Sequence, residues 1–222
     1  MVAALLAATM AFAQTLFSLD TTFKAQLSHT LNGPGATVNH LLPLEDGSML
    51  IAGSFRFPWD PVPPTQSRTG TRLLSNGMPD LDYPQFYGGG RLTRWNDRFY
   101  VGGANVRRRF MDGTVDPSFI PMTLGPYFNS GIAGDYHVFP DGRVLMTGGH
   151  ILSDTIRGFT GAHNFIWFSN EGYLDTTRIH RKGNGTINTL HQTADGKFIV
   201  SCGLCTTVSL RPTTSRRMPL FC

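Results

Sequence analysis

Four aspartates recur in one local setting. Asp80, Asp116 and Asp175 each close a Gly-x-x-Asp unit, in Gly77-Met78-Pro79-Asp80, Gly113-Thr114-Val115-Asp116 and Gly172-Tyr173-Leu174-Asp175. Asp20 keeps the end of the same unit in Ser18-Leu19-Asp20-Thr21-Thr22-Phe23. Carboxylates in repeated turns can hold calcium together with carbonyl oxygens, or they can cap the N–H groups of their own turn. The chain has no Asp-x-Asp-x-Asp-Gly cluster with a closing Glu, so capping is the expected role. A hydrolytic reaction would fall to acids on loops, with Asp60, Asp80, Asp82 and Asp154 the candidates. Glycoside cleavage needs two such carboxylates roughly 5 to 9 Å apart, a separation that sequence does not give.

Other chemistry is sparse. Seven histidines occur. His137 and His191 share a repeat position, which marks them as structural. His150 and His163 flank one segment, and a metal there would need Asp154 or a further ligand, so no metal site and no cofactor are expected. Cys202-Gly203-Leu204-Cys205 has the C-x-x-C spacing but follows a strand rather than opening a helix, where a helix end would stabilise a thiolate. Cys202 fills a slot that other copies give to Gly53, Gly102 and Gly148, so it reads as a small core residue. With Cys222 the count is three, which leaves one cysteine without an intramolecular mate. No Gly-x-Ser-x-Gly elbow, His-Glu-x-x-His, P-loop or dinucleotide fingerprint is present.

The elements that must position these residues repeat. An Asp-Gly pair leads into a hydrophobic run and a Gly at Asp46-Gly47, Asp141-Gly142 and Asp195-Gly196, with a looser copy from Asn96 to Gly103. Asp-Gly favours a tight hairpin because Gly accepts positive φ and Asp tolerates it. The runs Met49 to Ala52, Phe99 to Val101, Val144 to Thr147 and Phe198 to Ser201 read as strands. The segments Val38 to Leu44, Ala133 to Phe139 and Ile187 to Thr193 read as their partners. Third strands are expected at Thr71 to Leu74, Val106 to Phe110 and Asn164 to Phe168, each running into a second turn. The full unit is about 60 residues, and the second copy is trimmed. Nothing after the first residues has helical periodicity with caps, so the chain is all-β. Short antiparallel sheets that cannot bury both faces alone must stack. The expected architecture is a β-propeller of four-stranded blades over 14–208, partial at about three and a half units where propellers use four to eight. A partial ring leaves two module faces open, which predicts self-association or further blades from a longer chain. The segments 54–70 and 150–163 read as loops. The first is rich in proline and aromatics, and Phe57, Trp59 and Asp60 form a candidate binding loop.

The composition fits this reading. Gly (25 residues) and Pro (14 residues) are both abundant and charged residues make up only 15%, which suits a chain of many turns. Residues 1–13 read as a signal peptide ending in Ala11-Phe12-Ala13, too short for a helix to span a bilayer. No transmembrane segment is expected. Residues 209–222 read as a disordered or atypical tail. The net charge of +4 is partly clustered at Arg107-Arg108-Arg109, Arg178 with Arg181-Lys182, and Arg211 with Arg216-Arg217. No nucleic-acid fold motif accompanies these arginines, so they read as solvated strand edges and no specific nucleic-acid binding is expected.

With the landmarks fixed, the chain resembles the delta-60 repeat family. The resemblance rests on Asp195-Gly196-Lys197-Phe198-Ile199-Val200, Thr71-Arg72-Leu73-Leu74 and Asp112-Gly113-Thr114-Val115-Asp116-Pro117-Ser118-Phe119, and covers about residues 16 to 205. The third copy departs from it, with Phe165-Ile166-Trp167-Phe168 where Arg-Leu is expected. The resemblance implies a bacterial, extracellular β-propeller, secreted or at the cell surface, with no catalytic residue to carry over. It also discounts the sequon Asn184-Gly185-Thr186. The expected function is a non-enzymatic scaffold or binding module for a protein or glycan ligand, and the alternative is a carbohydrate-active or other hydrolytic propeller.

Overall fold

Six hairpin turns of one build organise the chain. A computed structural model describes residues 20–27, 36–60, 67–202 and 220–221. The signal reading at 1–13, most of the tail, Cys205 and Cys222 lie outside those residues. In each turn the N–H of a glycine returns to the carbonyl three residues back, and the flanking residues close a wider pair. Gly47 bonds to Leu44, Gly142 to Phe139, Gly196 to Thr193, Gly77 to Leu74, Gly113 to Phe110 and Gly172 to Ser169, at 2.8 to 3.2 Å. All six glycines have φ between +79° and +87°, the left-handed region that side chains resist. The residue before the glycine locks the turn by accepting the N–H beyond it: Asp46 from Ser48, Asp141 from Arg143, Asp112 from Thr114 and Asn76 from Met78, at 2.8 to 3.1 Å. This is a three-residue hairpin loop with a left-handed closing residue.

The described residues are all-β apart from one 3-10 turn at Met122–Leu124. Sheet I holds β1 (Thr37–Pro43), β2 (Met49–Phe55) and β3 (Arg68–Leu73). Sheet II holds β4 (Leu92–Trp95), β5 (Arg98–Val101) and β6 (Arg107–Phe110). Sheet III holds β7 (Phe128–Val138), β8 (Val144–Asp154) and β9 (Phe159–Phe168). Sheet IV holds β10 (Ile187–Gln192), β11 (Phe198–Cys202) and β12 (Leu220–Phe221). Neighbours pair antiparallel except β12, which adds to β11 in parallel. No helix among the described residues is long and apolar enough to cross a membrane.

The sheets are three-stranded, which corrects the expectation of four strands per blade. The place of a fourth strand is held by isolated bridges, Leu73 to Pro79, Arg109 to Val115 and Phe168 to Leu174. The next residue is in each case the repeated Asp, whose turn pulls the chain away before a ladder can form. Pro79 also lacks the N–H a longer ladder would use. Three further corrections concern boundaries. The segment 150–163 is no loop, because β8 and β9 continue through it with His150 opposite His163 and Asp154 opposite Phe159. Strand β4 was not anticipated, since its turn is a two-residue Asn96-Asp97 link with Asn96 at φ 54°. That shorter turn shifts the second copy by one residue. Gly53 stands opposite Val38, Gly148 opposite Ala133 and Cys202 opposite Ile187, and the matching residue of sheet II is Gly103, not Gly102. Cys202 is half-buried and disulfide-bonded, so it is not simply a small core residue.

The sheets bury their apolar faces on one another in chain order. Leu50 and Ala52 of sheet I share a core with Leu92, Phe99 and Val101 of sheet II. Tyr100 joins Tyr136, Val144 and Met146 of sheet III in the largest core. Leu145, Phe165 and Trp167 of sheet III meet Ile187, Leu190, Phe198 and Val200 of sheet IV. The remaining face of sheet I, with Ile51, Phe55 and Leu73, is covered by Phe23 and Leu27. The segment after each repeated Asp serves as the joint. Lys24 donates to Asn76 and Ile120 to Glu171, at 2.8 and 2.9 Å, while the Tyr83 hydroxyl donates to the Met111 carbonyl at 3.2 Å. Each bond carries one unit onto the second turn of the next sheet.

Candidate functional site

The repeated Asp is the centre of a small ionic device that takes two forms. In the first two units the third strand supplies an Arg, the Asp follows eight residues on, and an aromatic ring follows three residues after that. One oxygen of Asp116 accepts the Ser118 N–H and hydroxyl at 2.9 and 2.6 Å. The other accepts Arg108 Nε at 2.6 Å and Arg98 Nε at 2.8 Å. The Arg108 guanidinium lies 4.9 Å from the centre of the Phe119 ring and also donates to Tyr100, Asn170 and Ser118. Asp80 repeats this with Arg72, and Arg72 lies 4.9 Å over Tyr83. Asp20 and Asp175 bind the N–H and hydroxyl of Thr22 and Thr177 in the same way, at 2.6 to 3.0 Å. Burial works to raise the Asp116 carboxyl, but Ser118 and Arg108 outweigh it and hold it at about 2.

The third unit explains its own departure from the repeat. Its strand carries Trp167 in place of Arg, and its turn carries Arg178 in place of the ring. The pair still meets at 4.9 Å, and Arg178 Nε lies 4.0 Å from the Asp175 carboxylate. Cation and ring have exchanged positions while the backbone bond from Asp to strand is kept: Asp80 to Arg72, Asp116 to Arg108 and Asp175 to Trp167, at 2.9 to 3.3 Å. These arginines were not foreseen. Arg108 and Arg109 are buried, which corrects their reading as solvated strand edges. The spacing of eight and eleven residues is the signal that could have found them.

The loop acids are equally committed. Both oxygens of Asp60 face Arg68, at 2.5 to 3.1 Å, and one accepts the Phe57 N–H at 2.9 Å. The Arg68 guanidinium is the main cause holding the Asp60 carboxyl below its ordinary value. Asp154 is buried and paired with Arg157. Burial pushes its carboxyl up, but Arg157 holds it down on balance. A general acid needs a carboxyl raised toward neutrality, and Asp60, Asp116 and Asp154 are held the other way. They order turns.

The histidines gather on sheet III. His150, His163 and His180 are all buried. His150 is used at both nitrogens: Nδ1 accepts the Gly131 N–H at 3.2 Å, and Nε2 lies 3.1 Å from the Thr147 carbonyl. His163 Nδ1 lies 3.0 Å from the Gly161 carbonyl. His180, which sequence did not single out, accepts the Trp167 N–H at Nδ1, 3.2 Å away, while its Nε2 has no hydrogen-bond partner among the described residues. The Phe159 ring packs edge-on to it, 4.7 Å between centres. Burial is the chief cause that lowers its pKa to about 4. Among the described residues no three His, Cys, Asp or Glu side chains are placed to hold a metal ion.

The 54–60 segment presents one exposed ring. Phe57 is buried and Asp60 is locked to Arg68, but Trp59 is 45% exposed. Its ring stacks on Phe57 at 5.2 Å with 5° between planes, and Arg68 backs Phe57 from 5.3 Å. The candidate binding loop therefore divides into a rigid base, Phe57 and Asp60, and one presented ring. The prolines at 61, 63 and 64 lie outside the described residues. The chain matches no known protein-family description, no curated protein and no solved structure.

Proposed function

We propose that the chain is a secreted, non-enzymatic binding or scaffold module, built as part of a β-propeller whose blades are the stacked sheets. The propeller reading is supported by the way first strands approach one another, β1 beside β4 and β7 beside β10, as innermost strands do around an axis. Absence of enzymatic work is supported by Asp60, Asp80, Asp116 and Asp154, which are spent on arginines and turn N–H groups, while Asp82 is exposed. The observation that carries the binding role is Trp59, a ring stacked on Phe57 and 45% exposed. Such a platform suits the apolar face of a sugar ring or an aliphatic protein side chain.

The test is a glycan screen followed by calorimetry on the hits. Trp59→Ala is expected to weaken binding by roughly 1 to 3 kcal/mol while leaving the melting temperature within a few degrees, because only the outer ring is lost. Turnover of a glycoside or ester substrate that vanishes on Asp60→Asn or Asp154→Asn would overturn this reading.

A further inference from the structure

Register makes residues in different sheets equivalent, and two equivalences end in exposed side chains. On the middle strands, Leu50, Tyr100 and Leu145 stand opposite Arg72, Arg108 and Trp167. All three are buried against the following sheet. Ile199 occupies the same position in sheet IV, opposite His191 as Leu145 is opposite His137, and it is 49% exposed. On the first strands, Leu92, Tyr136 and Leu190 face Val101, Met146 and Val200. They are buried against the preceding sheet. Leu41 faces Ile51 in the same way in sheet I, yet it is 52% exposed, with Val38 open beside it.

Each internal joint therefore mates one residue of each set: Leu50 with Leu92, Tyr100 with Tyr136, and Leu145 with Leu190. Ile199 and Leu41 are the two halves of a fourth joint, each about half exposed, and among the described residues no sheet faces either. We infer that the Ile199 face of one molecule docks on the Leu41 face of a second copy, head to tail. The interface continues the established one. His191 would sit where His137 sits in sheet III, whose ring meets Phe198 at 5.2 Å between centres. A head-to-tail contact of this kind closes a ring when the turn per chain divides the circle, two four-sheet chains making an eight-bladed one, and otherwise grows a filament. The inference rests on the stacked-repeat part of the reading above and not on its ligand.

The experiment is sedimentation of the full chain over a range of concentrations. The expected mass rises to that of a dimer or beyond. Leu41→Asp and Ile199→Asp each weaken association by roughly tenfold or more, with circular dichroism unchanged because both sites are surface positions. An equimolar mixture of the two variants recovers a complex that stops at two chains, since one intact tail meets one intact head. Ile156→Asp, at an exposed residue in the β8–β9 turn, leaves association as it was. If either aspartate disturbs folding, Leu41→Ser and Ile199→Ser carry the same test. A chain that stays monomeric at every concentration overturns the inference, as does a mixture that associates no better than each variant alone. Glycan binding lost with Trp59→Ala while association persists would separate the two proposals.

Discussion

Arg72 over Tyr83, Arg108 over Phe119 and Arg178 over Trp167 are one contact written in two directions, each at 4.9 Å. The reversal in the third unit predicts coupling. Trp167→Arg alone places two guanidinium groups together with no ring between them, and Arg178→Phe alone leaves Asp175 without its cation. Each is expected to cost about 1 to 3 kcal/mol. The double variant restores the arrangement of the other units, so the coupling in a urea-denaturation cycle should reach roughly 1 kcal/mol. An additive cycle would deny the equivalence. His180 supplies a second residue-level prediction. It titrates at about 4 when folded against an ordinary 6.5, so between those values the unfolded chain binds more protons. Stability should then fall as pH drops from about 6.5 to about 4, by up to roughly 3 kcal/mol, and should gain nothing from His180 above that window. Asp154 and Asp175 oppose the shift and His163 and Arg157 reinforce it, while burial shifts His150 and His163 the same way. His180→Asn keeps an acceptor for the Trp167 N–H and should remove a share of the slope, read by urea unfolding at about pH 7 and pH 5. The repeated aspartates were legible in the sequence because their turn is local. Their arginines were not, because the partner sits on another strand and only the turn geometry brings the two together.

Hairpin turns show how one backbone solution serves two purposes. Gly196 and Gly172 have φ of +79° and +87°, so alanine at either must enter the left-handed region at a cost of about 1 to 2 kcal/mol. They differ in surroundings. A Cβ at Gly196 would meet nothing within 4 Å, whereas at Gly172 it would lie 2.5 Å from the Ile120 carbonyl oxygen. Gly172→Ala should therefore cost at least about 1 kcal/mol more than Gly196→Ala, measured by thermal unfolding, because it also pries the joint between units. Equal costs would mean that Ile120 yields freely and that the joint is soft. The Asp-Gly signal announced these turns well, since it states a local φ requirement. It failed at β4, where Asn96 does the work without a glycine, and along 150–163. There Ser153, Thr155, Gly158 and Gly161 look like loop chemistry, but the inward row His150, Leu152 and Asp154 is buried and holds the ladder together. Strand number was misjudged for the opposite reason. The residues that look like a fourth strand are captured by an Asp turn after a single bridge.

Across the whole molecule, stability should be graded by how many neighbours each sheet has. In stacked repeats it is close to a sum of units and nearest-neighbour joints, and local opening takes the least supported parts first. The middle strands of sheets II and III, β5 and β8, bury side chains toward both neighbours, with Phe99 in one core and Tyr100 in the next, and Met146 and Leu145 likewise. Strand β11 buries Phe198 and Val200 on one side only. The stacking was foreseeable from the repeat, because no single sheet of this size hides both faces. Which faces would be left open was not, since that depends on register between distant strands. Native-state hydrogen exchange is the matching measurement. Amides of β5 and β8 should exchange through the opening of highest free energy, and those of β10 and β11 through a cheaper one confined to sheet IV. Uniform protection would mean one indivisible core and would remove the modular account. Raising the concentration adds a further discrimination. If copies join head to tail, protection should climb in β1, β10 and β11 and stay constant in β5 and β8, because only the end strands gain a neighbour.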